Sequence, residues 1–515
     1  MVLLRRFSGL VYCALLAVSA LATPVLQDAA NVTIAGVVYQ GVLSEDGKVQ
    51  AYLGVPFAQP PTGDLRWVAP QPIKSGSGAY SAVNFAAACA QSPHMVNWYR
   101  GVVSSFGGDA DAFPVPEFSE DCLYLNVWAP VQSAAGQLPV MVYIHGGSNA
   151  GGWSFEPNYH GEQLARQGVI VVTLAYRVGI LGFFSHPQLK ESNFGLLDQA
   201  AGLRWVQNNI QQFGGDSQRV TVVGESSGAN NITHLLVSPQ GRGLFQRVIH
   251  QSAGWAVHSR VTRDQRLKFG QKLSNAADGD SADGIDALRQ LTAKRLIQLA
   301  QQQLPDYEYD PVAGVVSLPA PVPDLLAAGE FDAVDLVIGS NADEWLMYLD
   351  DKVSLEEWMQ SRLTNEQRAA ARLLPESSVD ERRQVDALET AQNYVCPSLE
   401  LARMVEKKGG SSWVYYFTRQ RTGTLAAQMG AYHGAELPYV FNTHDSWLPT
   451  VKEDRELTEL MMGYWSDFAG AGDPNLDGRP NWPRYGHARE VLALNSPTRV
   501  LLQHPSVRIC EALQQ

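Results

Sequence analysis

After residue 22, no stretch of this 515-residue sequence reaches the ~18 consecutive apolar residues that a membrane-crossing helix needs. The remainder of the chain is therefore expected to be soluble. Charge is sparse, at 18% of residues, and acids exceed bases by 52 to 39 for a formal net charge of -13. No basic stripe offsets that surplus, so a polyanion would be repelled and nucleic acid is not an expected partner. The His-Glu-x-x-His pattern of zinc hydrolases is missing, and neither a metal nor an organic cofactor is implied. There is no internal repeat, and the 45 glycines and 28 prolines fall short of collagen or low-complexity composition. Apolar residues at 45% fit a folded globular chain with a large core.

The first 22 residues read as a secretory signal peptide. Arg5 and Arg6 precede an apolar run from Leu10 to Ala22 that is too short to span a bilayer and ends in Ala20-Leu21-Ala22, a small-x-small cleavage pattern. Cleavage after Ala22 removes two arginines, taking the charge from -13 to -15, and delivers the chain to a secreted or periplasmic location. Of only five cysteines, Cys13 leaves with the leader. Cys89, Cys122, Cys396 and Cys510 remain, an even set that an oxidising compartment would pair in one of three ways. Asn31-Val32-Thr33 and Asn231-Ile232-Thr233 match the glycosylation sequon, and only the first falls where a surface loop is expected.

Short β-branched runs alternate with helical stretches from there on, as in a mostly parallel sheet covered on both faces. Leu138 to His145, Val169 to Leu174, Arg219 to Val223, Arg247 to His250 and Asp335 to Ile338 read as buried strands. Leu196 to Phe213 and Ile285 to Leu304 carry apolar residues at helical spacing. The fold class is α/β. No linker interrupts residues 31 to 515, which read as one catalytic body.

Gly224-Glu225-Ser226-Ser227-Gly228 follows a strand and opens an apolar helix, the setting of a nucleophile elbow. Ser226 is the candidate nucleophile. An oxyanion developing on its substrate needs donors, and Gly146-Gly147-Ser148 ends another buried strand with glycines that let backbone N–H groups turn inward. Gly147, Ser148 and Ser227 are the candidate donors. A serine also needs a base, and the base a carboxylate, in the chain order serine, acid, histidine. Asp343 and Glu344, just beyond the strand at Asp335, both fit the acid; His433, His444, His487 and His504 all lie downstream as candidate bases.

From about Val38 to Cys510 the sequence resembles the cholinesterase and type-B carboxylesterase family of α/β-hydrolases. The resemblance is carried by Gly224 to Gly228, by Glu120-Asp121-Cys122-Leu123-Tyr124-Leu125-Asn126-Val127, by residues 193–199 (NFGLLDQ), by Phe213-Gly214-Gly215-Asp216 and by residues 467–475 (DFAGAGDPN). It implies an α/β-hydrolase fold with a large central sheet, helices on both faces and helical insertions. It implies a triad of Ser226, Glu344 and His433, and disulfides pairing Cys89 with Cys122 and Cys396 with Cys510. A further disulfide common in animal members has no cysteines here. Arg66 and Glu120 resemble the family's structural ion pair. The segment from Ala90 to Glu120 corresponds to a variable loop over the site; it contributes Trp98, and Trp255, Met347 and Tyr348 are expected to complete the substrate pocket. Nothing in that segment implies choline specificity. The implied activity is hydrolysis of a small-molecule carboxylic ester through an acyl-enzyme. A lid-gated lipase on the same triad and a non-catalytic binding protein of the same fold are the alternatives.

Overall fold

In the five runs expected to be strands, both faces carry apolar residues, and burial on both faces is what a strand covered by helices on each side requires. The structure, a computed structural model, describes residues 31–131, 137–278, 284–372, 380–423, 425–476 and 478–514. The expected leader, residues 1–22 with Cys13, lies outside the described residues.

One sheet holds β1 (Val42–Leu43), β2 (Val49–Pro56), β3 (Tyr124–Pro130), β4 (Leu138–Ile144), β5 (Ile170–Leu174), β6 (Gly215–Glu225), β7 (Arg247–Gln251), β8 (Asp335–Asn341), β9 (Ser412–Phe417), β10 (Val491–Leu494) and β11 (Arg499–Leu501). Their spatial order is β11-β10-β9-β8-β7-β6-β4-β5-β3-β2-β1. The run from β5 to β10 is parallel, and antiparallel strands finish both edges. Helices important to the site are α1 (His94–Ser105), α2 (Phe194–Asn209), α3 (Ser227–Val237), α4 (Gly284–Gln290), α5 (Ala293–Gln303), α6 (Cys396–Lys408) and α7 (Lys452–Ala471).

Alternate residues of each strand enter different cores. Val140, Val142 and Ile144 pack with Val220, Val222 and the helical residues Leu203, Ile232, Leu235 and Leu399. Met141 and Tyr143 pack on the other face with Val223, Ile249 and the α7 residues Leu457, Met461, Trp465 and Phe468. Each such side chain contributes about 1.5–3 kcal/mol by leaving water, and the two layers together fix the height at which the parallel strands end. At that end the chemistry-bearing loops emerge, as expected of an open α/β sheet.

Two helices differ from their sequence boundaries. The stretch from Ile285 to Leu304 is two helices, α4 and α5, because Thr292 takes an extended conformation (ψ 149°) and its hydroxyl accepts the Arg295 N–H at 3.3 Å, starting a new helix. The stretch ending at Phe213 begins at Phe194 and tightens to a 3-10 turn from Ile210, closed by Gly214 at φ 90°.

The bridges are Cys89–Cys122 and Cys396–Cys510. Arg66 grips Glu120 with two hydrogen bonds of 2.7 and 2.6 Å and caps the carbonyls of Leu288, Arg289 and Leu291, a scaffold contact holding α4 to the first disulfide loop. Asn231, in the second sequon, is fully buried on α3 and bonded to Asn149, whereas Asn31 is exposed. Among the described residues no helix is long and apolar enough to cross a membrane.

Candidate active site

β6 ends at Glu225 and α3 begins at Ser227, so Ser226 alone makes the turn, at φ 56° and ψ -130°. A residue with a β-carbon held there costs on the order of 1–3 kcal/mol, which the surrounding structure must hold in place. The flanking glycines show why the turn is so sharp. A β-carbon on Gly228 would stand 2.1 Å from the Ile144 carbonyl oxygen, and one on Gly224 would stand 2.8 Å from the Gly228 carbonyl carbon. The Ser226 N–H donates to the Gln251 carbonyl at 3.0 Å, fixing the elbow to β7.

Ser226 Oγ lies 2.8 Å from His433 Nε2, and His433 Nδ1 lies 2.7 Å from Glu344 Oε2. The second oxygen of Glu344, fully buried, accepts the Asn341 N–H at 2.7 Å at the end of β8. The neighbouring acid is used elsewhere: Asp343 Oδ2 accepts the Ala431 N–H at 2.7 Å and so holds the loop that carries His433. The other histidines are remote from Ser226. His444 bonds to Thr458 and Arg421, His504 packs on Tyr416, and His487 is exposed.

Gly147, Ser148 and Asn149 run consecutively at φ 103°, 56° and 53° beside the elbow. Asn149 fastens this loop inward, its N–H donating to Ser227 Oγ at 3.1 Å and its Oδ1 accepting from Asn231 at 2.7 Å. A β-carbon on Gly146 would stand 2.9 Å from that of Ser226, so only glycine lets the loop approach this closely. Among the described residues no backbone acceptor takes the N–H of Gly147, Ser148 or Ser227. The free N-terminal end of α3 adds its positive dipole at the same place.

Two further buried glutamates, Glu225 and Glu436, stand by the histidine and a third, Glu156, lines the same cavity; none was assigned a role from the sequence. Glu225 Oε1 is 3.2 Å from His433 Nε2. Glu436 is held by Asn341 at 2.6 Å and Gln251 at 3.0 Å, and Glu156 accepts from Tyr99 at 2.5 Å. Burial alone would lower the His433 pKa, but the charges of Glu225 and Glu344 outweigh it and carry the group to about 9. Burial raises Glu225 to about 8 against the pull of His433. Both members of this close pair therefore keep protons to higher pH than free groups would.

A cavity of about 800 Å³ opens over Ser226 and His433. Trp98, Trp255 and Tyr348 line it, as do the oxyanion-loop residues Gly147 and Ser148. Met347, expected in the same wall, packs instead against the α7-side core, because the 3-10 turn Leu346–Tyr348 points successive side chains in different directions. Tyr394, whose ring lies 5.4 Å from that of His433, was not foreseen. It sits on a π-helical turn just before α6, and a lone tyrosine in a helical run carries no sequence signal for a site.

The parallel sheet, the elbow at the end of β6 and the acid after β8 together define an α/β-hydrolase. The carboxylesterase family model matches residues 28–510, and the chain belongs to that family. Fumonisin B1 esterase of Sphingopyxis macrogoltabida is 34% identical over 480 residues, covering 88% of this chain and 84% of that protein. Human cocaine esterase is 33% identical, covering 87% of this chain and 84% of its own length. Acetylcholinesterase of Bungarus fasciatus is 33% identical, with 90% and 82% covered. Among solved structures, a PNB esterase aligns with a TM-score of 0.81 at 29% identity, covering 94% of this chain and 99% of the other. A thermophilic PNB esterase gives 0.80 at 28% identity with the same coverage. The protein is a carboxylic ester hydrolase whose substrate is a small molecule, and the alternative of a non-catalytic binding protein is set aside.

Proposed function

We propose that the protein hydrolyses carboxylic esters through an acyl-enzyme on Ser226. His433 Nε2 takes the Ser226 proton as Oγ attacks the ester carbonyl, and the carbonyl π electrons move to oxygen. The N–H groups of Gly147, Ser148 and Ser227 stabilise that oxyanion, each donor being worth about 2.7–4 kcal/mol in the transition state. Collapse expels the alcohol, which receives the proton from His433. Water then attacks the acyl-enzyme with the same proton transfers and releases the acid. Glu344 holds His433 in the tautomer that leaves Nε2 free and offsets the imidazolium charge. The observation that carries this reading is the continuous contact from Ser226 Oγ through His433 to Glu344 at 2.8 and 2.7 Å. Its test is covalent: a p-nitrophenyl organophosphate should release one equivalent of p-nitrophenol per chain, abolish esterase activity and leave its phosphoryl group on the peptide containing Ser226. Label elsewhere, or activity surviving full labelling, would exclude the mechanism.

The base must be neutral to accept a proton, so kcat/KM should rise with pH through a midpoint above the ordinary 6.5 of a histidine. Glu225→Gln removes the strongest of the charges that favour protonated His433, leaving the depressing effect of burial in place. The rising limb should therefore move to lower pH in that variant; an unmoved limb in a pH–rate profile would show that Glu225 does not set the base.

Export from the cytoplasm is part of the same proposal, supported by the leader-like residues 1–22 and by the two disulfides. The names of the relatives mention fumonisin B1, cocaine and acetylcholine, so membership alone does not single out an ester. Between esterase and lipase, the fastening of α1 favours the esterase. A lid must swing, yet Val96, Tyr99, Val102 and Val103 of this helix are buried, Tyr99 bonds to Glu156, and Trp98 Nε1 donates to Tyr348 OH at 3.0 Å across the cavity. Activity on tributyrin should accordingly follow a simple saturation curve through its solubility limit. A jump when emulsion droplets form would instead establish a lid-gated lipase.

A further inference from the structure

The loop that carries Gly147 and Ser148 is fastened on its outer side as well as its inner side. Gln91, two residues beyond Cys89, places its side-chain amide against Gly152. Its Oε1 accepts the Gly152 N–H at 2.8 Å, while Nε2 donates to the Gly152 carbonyl at 2.8 Å and to the Cys89 carbonyl at 3.0 Å. One amide thus occupies both backbone groups of a single residue, as a neighbouring strand would. The fit leaves no slack: a β-carbon on Gly151 would stand 2.4 Å from Gln91 Oε1, and one on Gly152 would stand 2.4 Å from His145 Nδ1. His94, on the same segment, closes in as well: a β-carbon on Gly151 would stand 2.5 Å from its Cε1. The three consecutive residues at positive φ, Gly147 to Asn149, are thus held from within by the bonds of Asn149 and from without by the anchor three residues on at Gly152, and such a conformation persists only where its surroundings enforce it.

We propose that Gln91 is a positioning residue for the oxyanion loop, holding the Gly147 and Ser148 N–H groups where the substrate oxygen gains charge. The proposal rests on the acyl-enzyme mechanism above. Gln91 does not line the cavity over Ser226 and touches no substrate. It acts through Gly152, and its own anchor is the backbone beside the Cys89–Cys122 bridge. The first disulfide loop is thereby mechanically coupled to the rate of the chemical step.

The test compares Gln91→Met, which preserves side-chain volume and loses all three hydrogen bonds, with Gln91→Ala. Active sites are counted first by the end point of organophosphate release, so that misfolded chains are removed from the comparison. Because a displacement of order 1 Å costs on the order of 10²-fold, kcat per titrated site should fall about tenfold or more in both variants. KM for p-nitrophenyl butyrate should change less than about twofold, since ground-state contacts are untouched. Affinity for an alkyl trifluoromethyl ketone, which adds to the serine and places an oxyanion in the hole, should fall by the same factor as kcat/KM. A Gln91→Met enzyme with wild-type kcat per site would overturn the proposal, as would a loss confined to the number of titratable sites. Failure of the underlying mechanism reads differently: the wild type itself would then lack stoichiometric release on Ser226.

Discussion

Ser226→Ala should retain the fold and lose about 10⁶-fold in kcat. The expectation is that large because the remaining groups have nothing to act on. Oxyanion donors and pocket still bind the ester, but water must attack without a covalent intermediate, and residual catalysis from binding alone is all that survives. Folding should be preserved for a geometric reason. The elbow is enforced by Gly224, Gly228 and the Ser226 N–H bond to Gln251, none of which involves the hydroxyl. Alanine tolerates φ 56° about as poorly as serine, so the strain is unchanged. The measurement is turnover of p-nitrophenyl butyrate by purified material whose thermal midpoint matches the wild type. Turnover within tenfold of wild type would remove Ser226 from the mechanism.

Glu344→Gln and Asp343→Asn should separate sharply, although the two acids adjoin in sequence. Glu344 accepts the Asn341 N–H through one oxygen and faces His433 Nδ1 with the other. A glutamine there turns its carbonyl to Asn341 and its NH₂ to His433. The ring must then present a lone pair on Nδ1 and carry its proton on Nε2, where it cannot accept the Ser226 proton. A wrong tautomer of this kind costs about 10⁴-fold in kcat. Asp343 instead supports the loop backbone at Ala431 and meets Arg383 and Gln420 at 3.4 Å. Asparagine keeps an acceptor for Ala431, so the cost should be about 1 kcal/mol in stability with kcat changed only a fewfold. Equal losses of kcat in the two variants would refute the assignment of Glu344 as the orienting acid.

These two acids also mark how far the residues could be read. Strand and elbow were legible because the central parts of β4 to β8 are buried on both faces, which makes them short runs rich in Val, Ile and Leu, and because glycine is the only residue that fits where backbones cross. Local pattern could not choose Glu344 over Asp343, since the choice depends on which carboxylate meets a histidine 89 residues further on; resemblance to relatives supplied it. β3 was not read as a strand; its central Asn126 is held by bonds to Gly54 and Thr173 on neighbouring strands, contacts that only the tertiary structure supplies. The role of Glu225 was hidden for a similar reason. The letters of the elbow were plain, but a carboxylate 3.2 Å from His433 is a product of tertiary packing. Met347 was misplaced because adjacency to Tyr348 says nothing about which side of a 3-10 turn faces the cavity.

The chain separation between nucleophile and base has a consequence for biosynthesis. Ser226 and His433 are 207 residues apart, and at ribosomal rates of about 5–20 residues per second the serine emerges roughly 10 to 40 s before the imidazole. On the proposed mechanism the nascent polypeptide carries an unarmed hydroxyl throughout that interval, and its reactivity waits until His433 has been made and stands 2.8 Å from it.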